Sequence, residues 1–443
     1  MTRGYTILQT DCVKAYVQAP LKGPKTFIRM PRAWWPTGWE GRFRDPVVPL
    51  IRALYGHPTS GDAWHDHLAA ELDTLGYQQI PEWPSFHYKR LPNGGFFAIV
   101  LYVDDLLILG PEQEIRSELA KIREHVIAEE PTALDKYLGV HHRISVSEDE
   151  AQITMSMMGF LRSEVERLVN NNGCKLSRVG TPYAPEITEE EWLQEPGRLA
   201  HCAASHLMAR MYAARMCYPP LILPVTRLAC EIHRWTKDSD RRLIRIYSFI
   251  STHPEMRLHY SATRLPMPDL KIVAWPDADF NGDKASARST TGYYIELVGN
   301  HGKGVPLSWA SRRQTATATS TMEAEILSMT YCLKHDAIPI QTLLETITGR
   351  GVELQVMQDN NPVIMACRKG YSPHLRHMPR THRTSIGFLK DLIDPDEPEE
   401  GTGAVRIVRA STTDHKGNCL TKALTVAPYK LEMSRIGVLF EGR

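Results

Sequence analysis

The chain has 443 residues, a formal net charge of +1, and 42% hydrophobic and 23% charged residues. This composition is ordinary for globular protein, and the length suits two or three domains. The near-neutral charge excludes a generally basic nucleic-acid-binding protein, so any such binding has to come from local patches. No apolar run approaches the roughly 18 residues of a membrane-spanning helix, and the N-terminus lacks a signal-peptide core.

The cysteines and histidines are numerous but are not arranged for metal binding. Eight cysteines are scattered without a CxxC pair, which indicates free thiols in a reducing, intracellular compartment, cytoplasmic or nuclear. Histidines cluster at His65 and His67 and again at His374, His377 and His382. No cysteine lies at ligand spacing beside them, so the sequence disfavours a structural zinc site.

The first hundred residues alternate between strand-like, loop-like and helical patterns. Residues 11–17 are predicted as a strand that contains one buried-looking acid, Asp11. Residues 31–46 are rich in proline, tryptophan and arginine and are predicted as an ordered loop, which either packs on itself or stacks on nucleotides. Residues 50–76 carry apolar positions at near-helical spacing and are predicted as a helix that ends at Gly76 and is broken between Gly56 and Gly61.

The stretch at residues 96–110, FFAIVLYVDDLLILG, is predicted as two buried strands joined by a hairpin. Asp104 and Asp105 interrupt the apolar residues near its turn. Aspartate is a common turn residue, so the pair is compatible with turn formation alone. Tight hairpins favour Asn-Gly or Asp-Gly, however, and two like charges beside an apolar ribbon are costly without a cation. The residues by themselves leave both a turn and a metal site open.

Four motifs, in chain order, resemble the reverse transcriptases of copia-type LTR retrotransposons. They are DCVKAYVQAPL, ALYG followed by a tryptophan, YVDDLLILG and KYLG. The resemblance implies a polymerase palm domain with an antiparallel sheet and a YVDD hairpin. It implies that Asp11, Asp104 and Asp105 hold two Mg²⁺ ions, which activate the primer 3′-hydroxyl and offset the charge of the triphosphate. It also implies that Tyr16 lies under the incoming sugar and selects deoxynucleotides.

A second set of elements is predicted from about residue 270 onward. Three sequential strands followed by alternating helices and strands indicate a mixed sheet with helices. The motifs WPDADFNGD, STMEAEILSM and QDNNPVI resemble the ribonuclease H domain that follows the reverse transcriptase in copia-type elements. By that resemblance Asp277, Glu325 and Asp359 bind two Mg²⁺ ions and cleave the RNA of an RNA–DNA hybrid. The neighbouring Asp279 and Glu323 are interpreted as surface acids.

The last ribonuclease H motif departs from the family. Its Thr-Lys-Ala-Leu sequence matches, but the preceding Ala-Asp pair is replaced here by Gly417-Asn418. An amide keeps an oxygen acceptor and loses the charge, so we expect weaker Mg²⁺ binding and impaired ribonuclease activity. Asp414 lies one helical turn before Asn418 and is a candidate substitute if that segment is helical.

A basic run precedes this motif. Residues 361–389 contain no Asp or Glu, whereas lysine and arginine recur through the run, including Arg376, Arg380 and Arg383. A run of one sign beside a proposed hybrid-cleaving site fits phosphate neutralisation. A solvated basic face is the alternative. Residues 394–401 are predicted as an acidic loop.

The predicted fold class is α/β (α+β), a reverse transcriptase palm followed by a ribonuclease H-like mixed sheet with helices. The predicted domains are 1–180, palm and partial thumb; 181–268, a mostly helical connection; 269–426, ribonuclease H-like; and 427–443, a tail. The expected partners are RNA template, DNA primer, RNA–DNA hybrid and dNTPs, without a membrane. The sequence leaves the oligomeric state open.

Three functions compete for this pattern. The motifs favour an RNA-directed DNA polymerase fragment of a Pol polyprotein with an appended ribonuclease H-like domain. In the family a basic fingers segment precedes the first motif, and nothing before Asp11 corresponds to it, so we expect weakened nucleotide binding. That departure and Asn418 favour a catalytically inactive remnant that at most binds nucleic acid. An intracellular protein with structural metal sites explains neither the motif order nor the second acid set.

Overall fold

The computed structural model describes residues 4–185, 187, 193–263, 270–283, 286–299, 304–393 and 403–441. The chain divides into two compact units, Arg3–Leu134 and Asp135–Arg443. The predicted domain boundary near 268 and the acidic loop at 394–401 lie outside the described residues.

The first unit is built on a six-stranded antiparallel sheet, with a separate two-stranded ribbon formed by β2 and β3. Its elements are β1 (Tyr5–Asp11), α1 (Ala15–Gln18), β2 (Phe27–Arg29), β3 (Val47–Pro49), α2 (Ser60–Thr74), β4 (Gln78–Ile80), β5 (Trp83–Arg90), β6 (Phe96–Tyr102), β7 (Asp105–Pro111), α3 (Ile115–His125) and β8 (Thr132–Ala133). The strand order is β4-β5-β6-β7-β1-β8, which places the predicted hairpin β6–β7 in the middle of the sheet.

Helices α2 and α3 bury their apolar sides in the core of this unit. Trp64 and Leu68 of α2 and Leu119 of α3 share one hydrophobic cluster with Ile99 and Ile108 of the hairpin. The side chains on one face of each element are therefore withdrawn from water, which is the main stabilising term for such a sheet-and-helix layer. The predicted hairpin is confirmed.

Two predicted boundaries in the first unit are wrong. The first strand spans Tyr5–Asp11 and not residues 11–17, because Lys14 adopts a left-handed backbone conformation with φ of 52° and a short helix follows. The predicted helix at 50–76 begins only at Ser60. Pro58 has no N–H group and restricts the residue before it, so the chain from Ile51 to Thr59 cannot continue a helix.

The second unit contains two five-stranded sheets. Its first half comprises β9 (Lys136–Tyr137), β10 (Val140–Val146), β11 (Glu150–Ser156), α4 (Met158–Asn172), α5 (Ala203–Met216), α6 (Pro219–Ala229), α7 (Lys237–Thr252) and β12 (Arg257–Thr263). Its second half comprises β13 (Lys271–Asp283), β14 (Arg288–Val298), β15 (Gly304–Arg313), α8 (Thr321–Cys332), α9 (Ile338–Thr348), β16 (Leu354–Gln358), α10 (Asn361–Lys369), α11 (Met378–Thr381), α12 (Ile386–Ile393), β17 (Val405–Arg409), α13 (Val426–Arg435) and β18 (Val438–Leu439).

The two sheets of this unit differ in strand direction. The sheet β18-β12-β11-β10-β9 is antiparallel throughout. In the sheet β15-β14-β13-β16-β17, the first three strands are antiparallel, whereas β16 is parallel to β13 and β17 is parallel to β16. This is the mixed sheet that the sequence predicted, and the predicted α/β (α+β) fold class is confirmed.

The C-terminal residues, which we predicted as a tail, fold onto the second unit. Helix α13 buries Tyr429 and Met433 completely, and β18 pairs with β12. All eight cysteines are free thiols. Among the residues that the structure describes, no helix is both long and apolar enough to cross a bilayer.

Candidate active sites

The three acids of the first predicted site lie together at one end of the six-stranded sheet. The register of β1 against β7 places Asp11 opposite Asp105. Tyr102 is also paired with Asp105 across the hairpin, so Val103 and Asp104 form its two-residue turn. The backbone N–H of Cys12 donates to the Asp104 carbonyl at 2.8 Å and ties the end of β1 to the turn. Asp11, which is distant in sequence from Asp104 and Asp105, therefore lies close to them at this end of the sheet.

The electrostatics of these acids favour a cation. Asp11 is exposed, whereas Asp104 and Asp105 are half-buried. Burial, then the charges of Asp104 and Asp105, raise the pKa of Asp11, and burial followed by Asp104 raises the pKa of Asp105. Carboxylates that repel one another in this way match the oxygen ligands that Mg²⁺ prefers.

The turn that carries Asp104 has a strained backbone and is held by a hydrogen bond from a buried side chain of α2. Val103 has φ of 57°, a left-handed conformation that is unfavourable for a β-branched residue. The indole Nε1 of the buried Trp64 donates a hydrogen bond to the Val103 carbonyl. The sequence identified Trp64 through its motif, but nothing in the pattern showed that it contacts the turn.

Tyr16 lies on α1, just beyond Asp11, and its ring packs on Tyr55 with centroids 4.5 Å apart. Burial and then the charge of Asp104 raise the pKa of Tyr55, which places this aromatic pair within electrostatic range of the acids. The two rings are tilted by 32° to one another. The selection of deoxynucleotides by Tyr16 stays a prediction.

The acids of the second predicted site lie on neighbouring elements of the mixed sheet. Ala274 of β13 pairs with Val356 of the parallel strand β16, so Asp277 and Asp359 each lie three residues beyond this pair. Glu325 comes from α8, which is held to β13 by the Ser328 hydroxyl donating to the Asp277 carbonyl at 2.7 Å. Asp277 and Glu325 are almost fully buried.

Glu325 is a buried acid without a satisfied charge. Burial, then the charges of Asp277 and Asp359, raise its pKa to about 9. Its Oε2 atom has no hydrogen-bond partner within the described part of the chain. A buried carboxyl of this kind needs either a proton or a cation, so the donor set fits a divalent ion.

The charge on Asp277 is met by side chains of the last motif. The Thr421 hydroxyl donates to Asp277 Oδ2, and the Lys422 ammonium lies 3.3 Å from Asp277 Oδ1. Lys422 also donates to Asn418 Oδ1 at 3.1 Å, while Asn418 Nδ2 donates to the Thr412 carbonyl at 2.8 Å. Although burial alone would lower it, the pKa of Lys422 is raised by Asp277. The motif signalled Thr421 and Lys422, but the sequence analysis gave them no contact.

Neither set of acids is arranged as a ready metal cage. Across the described ranges, no group of three or more His, Cys, Asp and Glu side chains is placed to hold a metal ion. In the second site this agrees with Thr421 and Lys422 occupying both oxygens of Asp277.

Asp414 does not substitute for the missing carboxylate at position 418. The segment consists of two separate 3-10 turns, at 412–414 and 418–420, so the helical spacing that this idea required is not present. The exposed Asp414 carboxylate instead pairs with Arg435 at 3.2 Å.

The interpretation of Glu323 as a surface acid is wrong. Its side chain is 0% exposed, and its Oε1 lies 2.9 Å from His377 Nε2 and 2.6 Å from His382 Nε2. Asp279 is half-buried and pairs with Arg227 at 3.3 Å. Both acids therefore make internal contacts, which sequence spacing alone could not reveal.

The three arginines of the predicted basic run are exposed. Arg376, Arg380 and Arg383 all have side chains in contact with solvent, and the Arg376 guanidinium donates to the Tyr371 hydroxyl at 2.7 Å. Their contact with nucleic acid stays a prediction.

Comparison with known proteins gives relatives along almost the whole chain. No protein-family model matches it. The chain is 24% identical to the retrovirus-related Pol polyprotein from transposon RE2 of Arabidopsis thaliana, over 99% of its length, and 25% identical to that from transposon RE1 of the same plant, over 98%. It spans 28% of the length of each. The foamy viral protease-reverse transcriptase in complex with an RNA/DNA hybrid aligns at 14% identity and a TM-score of 0.46, covering 92% of this chain and 44% of that one.

Proposed function

Because this chain is similar over almost its whole length to retrotransposon Pol polyproteins, as its motifs predicted, we propose that it is an RNA-directed DNA polymerase segment of a copia-type element. The proposal includes an appended ribonuclease H-like domain. The observation that carries it is the strand register that sets Asp11 opposite Asp105, beside Asp104 in the turn. The three acids that the motifs identify therefore lie together at one end of the sheet.

Polymerisation would use Asp11, Asp104 and Asp105 to hold two Mg²⁺ ions. When bound, these ions supply Lewis acidity for the primer 3′-hydroxyl and offset charge on the triphosphate of the dNTP. The chain itself supplies position, since the hydrogen bonds from Cys12 and Trp64 fix the turn. Such fixed geometry supplies much of the rate enhancement in phosphoryl transfer.

The second site would act on an RNA–DNA hybrid. Asp277, Glu325 and Asp359 would hold the metal ions there, and the hydrogen bond between Ser328 and the backbone of Asp277 keeps α8 in register with the sheet. Exposed Arg376, Arg380 and Arg383 would neutralise phosphates of the nucleic acid.

An intracellular location, cytoplasmic or nuclear, is part of the same proposal. The RNA template, DNA primer and dNTPs are its proposed partners. The chain spans 28% of the length of each of the two retrotransposon relatives, so only part of their sequence has a counterpart in it.

A second candidate is a catalytically inactive remnant that binds nucleic acid. One observation favours it. Asn418 stands where the family has a carboxylate, and Lys422 contacts both Asn418 and Asp277.

Primer extension on an RNA template, with Mg²⁺ and dNTPs, tests the polymerase. We expect extension by the wild-type chain and none by Asp104→Asn/Asp105→Asn. Asp66→Asn/Asp73→Asn, which changes two exposed acids of α2, serves as the charge-matched control and should extend normally. No extension by the wild-type chain, combined with salt-dependent binding to an RNA–DNA hybrid, would support the remnant instead.

A further inference from the structure

Glu323, in the first turn of helix α8, is a buried carboxylate with contacts on both of its oxygens. Its side chain is 0% exposed. The backbone N–H and the hydroxyl of Thr319 donate to Oε2, each at 2.6 Å. Nε2 of His377 and Nε2 of His382 lie 2.9 and 2.6 Å from Oε1. The N-terminal turn of a helix also favours negative charge. The position of this carboxylate on α8 is therefore fixed.

The two histidines belong to residues 376–383, which we call the arginine segment. His377 precedes the short helix α11 and His382 follows it, so both ends of this helix are held. The segment contains no acid. Its three arginine side chains are exposed: Arg376, Arg380 and Arg383. The segment therefore presents positive charge to solvent while its histidines contact one carboxylate of α8.

The backbone of the arginine segment is strained beside one of these histidines. Arg383 has φ of 52°, in the left-handed region. The preceding side chain, His382, is 4% exposed, and its backbone N–H donates to the Met378 carbonyl at 2.8 Å. Strain of this kind persists only where the surroundings impose it, and it is concentrated at functional positions. The packing of His382 therefore imposes the direction of the chain at Arg383.

Attachment of the segment to the protein does not by itself require a buried carboxylate. Leu375 is 3% exposed and Met378 is 0% exposed, so apolar side chains already bury this part of the chain. A buried ionic group gives little net stability compared with apolar residues of similar size, and its best-attested role is to fix a register. We therefore assign to Glu323 the orientation of the arginine segment on α8.

The same turn of α8 carries an acid of the second site. Glu325 lies two residues after Glu323, and the Ser328 hydroxyl holds α8 to the Asp277 carbonyl of β13 at 2.7 Å. A segment fixed to Glu323 is consequently fixed relative to Glu325. Guanidinium groups suit phosphate because each presents several N–H donors. Groups that are held in place before binding also lose less conformational entropy when the ligand arrives.

We propose that Glu323, acting through His377 and His382, is a positioning residue for nucleic acid. It holds the arginine segment so that its arginines contact several phosphates of an RNA–DNA hybrid at once. The inference rests on the proposed function, because it assumes that these arginines contact phosphate. It adds to that function the group that sets their position, and Glu323 itself does not touch the nucleic acid.

Binding of an RNA–DNA hybrid to the full chain, followed by fluorescence anisotropy at several salt concentrations without divalent metal, tests the inference. Loss of one negative charge would by itself strengthen binding to a polyanion. We expect the opposite for Glu323→Gln, about 10-fold weaker binding and a salt slope smaller by about 1–2, because phosphate contacts are lost. Glu166→Gln, at an exposed position of α4, is the charge-matched control and should keep the wild-type slope.

A coupling test separates positioning from a general loss of stability. The triple variant Arg376→Gln/Arg380→Gln/Arg383→Gln should reduce the salt slope by about 3, roughly one for each phosphate contact. Adding Glu323→Gln to the triple variant should weaken binding no further, because Glu323 acts only through these arginines. A purely structural role of Glu323 predicts instead a lower melting temperature with an unchanged salt slope.

Two outcomes overturn the inference. One is an unchanged affinity and slope in Glu323→Gln while the triple variant loses both. The other is a further loss of affinity when Glu323→Gln is added to the triple variant. If Glu323→Gln does not fold, His377→Ala replaces it with the exposed His374→Ala as control, and an unchanged slope in His377→Ala contradicts the inference equally. A triple variant that binds like the wild type would contradict the proposed phosphate contacts, and the inference with them.

Discussion

Val103 places a β-branched side chain in left-handed backbone at the tip of the β6–β7 hairpin. Strain of this kind costs about 1–3 kcal/mol and persists where the surroundings impose it. The side chain is 43% exposed, so little packing is lost by removing it. The strained backbone at Val103 therefore lowers the stability of the turn that carries Asp104.

We expect Val103→Gly to stabilise the first unit. Glycine adopts positive φ without strain but loses about 0.5–1 kcal/mol through its greater freedom when unfolded, so the net gain is about 1 kcal/mol. Urea titration followed by hydrogen exchange at amides of the first unit measures the change. Val47→Gly, at an exposed strand position, should instead destabilise the unit, and a loss of stability in Val103→Gly would refute the strain argument.

His87 on β5 makes the first unit sensitive to acid. Burial lowers its pKa to about 4, and neither ring nitrogen has a hydrogen-bond partner in the described residues. The unfolded chain takes up this proton near pH 6.5. Stability is therefore complete above pH 6.5 and declines as the pH falls toward 4, by up to about 3 kcal/mol from this group.

We expect His87→Leu to reduce this loss of unfolding free energy at low pH. Urea unfolding at about pH 7.5, 5.5 and 4.5 measures it, because these values run from above the unfolded-state pKa to near the folded-state pKa. His141→Leu, at an exposed position, should leave the decline intact. An equal decline in the wild type and in His87→Leu would assign the acid sensitivity to other groups.

Single acids could be predicted from the sequence far better than their partners could. Asp11 and Asp104 stood out as charges within apolar strands, and the register brings them together. Glu323 lies two residues from Glu325 on the same helix, and the sequence pattern led to its interpretation as a surface acid. It is buried because His377 and His382, more than fifty residues away, close over it. Contacts of that kind depend on tertiary packing, which a local pattern does not contain.

At the scale of elements, helix α2 and the hairpin are coupled through one hydrogen bond. Trp64 is fully buried in the core, and its indole N–H reaches the Val103 carbonyl in the turn. Helix α2 thereby holds the turn of the hairpin in a fixed position relative to the core. Positioning through a neighbouring element matters because small displacements of catalytic groups carry large losses in rate.

We expect Trp64→Phe to reduce kcat of primer extension more than it changes KM for dNTPs, because the turn loses its donor while the aromatic packing is largely kept. The loss of the buried hydrogen bond should also cost about 1–3 kcal/mol of stability. Steady-state kinetics and thermal melting measure the two effects. Trp34→Phe, at an exposed tryptophan, is the control. An unchanged kcat would show that the turn keeps its position without Trp64.

Regular elements were predictable where one periodic signal dominated. The β6–β7 hairpin, whose apolar residues dominate the stretch at 96–110, was found in place. The helix expected from residue 50 failed because apolar residues at helical spacing continued across Pro58, whose backbone effect outweighs the pattern. The strand expected after Asp11 failed at Lys14, whose left-handed backbone turns the chain into α1.

At the scale of the molecule, each of the two units is built on sheets and a hydrophobic cluster of its own. We therefore expect residues 3–134 and 135–443 to fold when produced separately. Circular dichroism and amide chemical-shift dispersion measure folding of each fragment. A matched pair cut at residue 180, the predicted palm boundary, would separate β11 from β12 and should yield poorly folded fragments. Folded fragments from the cut at 180 alone would favour the sequence-based boundary.

The pairing of β12 with both β11 and β18 has a consequence for synthesis on the ribosome. The first unit is contiguous, so all its strands are present once residue 134 has emerged. Strand β11, one neighbour of β12, is synthesised before β12. The other neighbour, β18, is synthesised last, so that edge of β12 stays unpaired until translation has passed residue 437. An open strand edge is a template for pairing with other chains. Pauses or premature stops in the last part of the message would therefore be a source of aggregation, even though every acid of both sites is already in place.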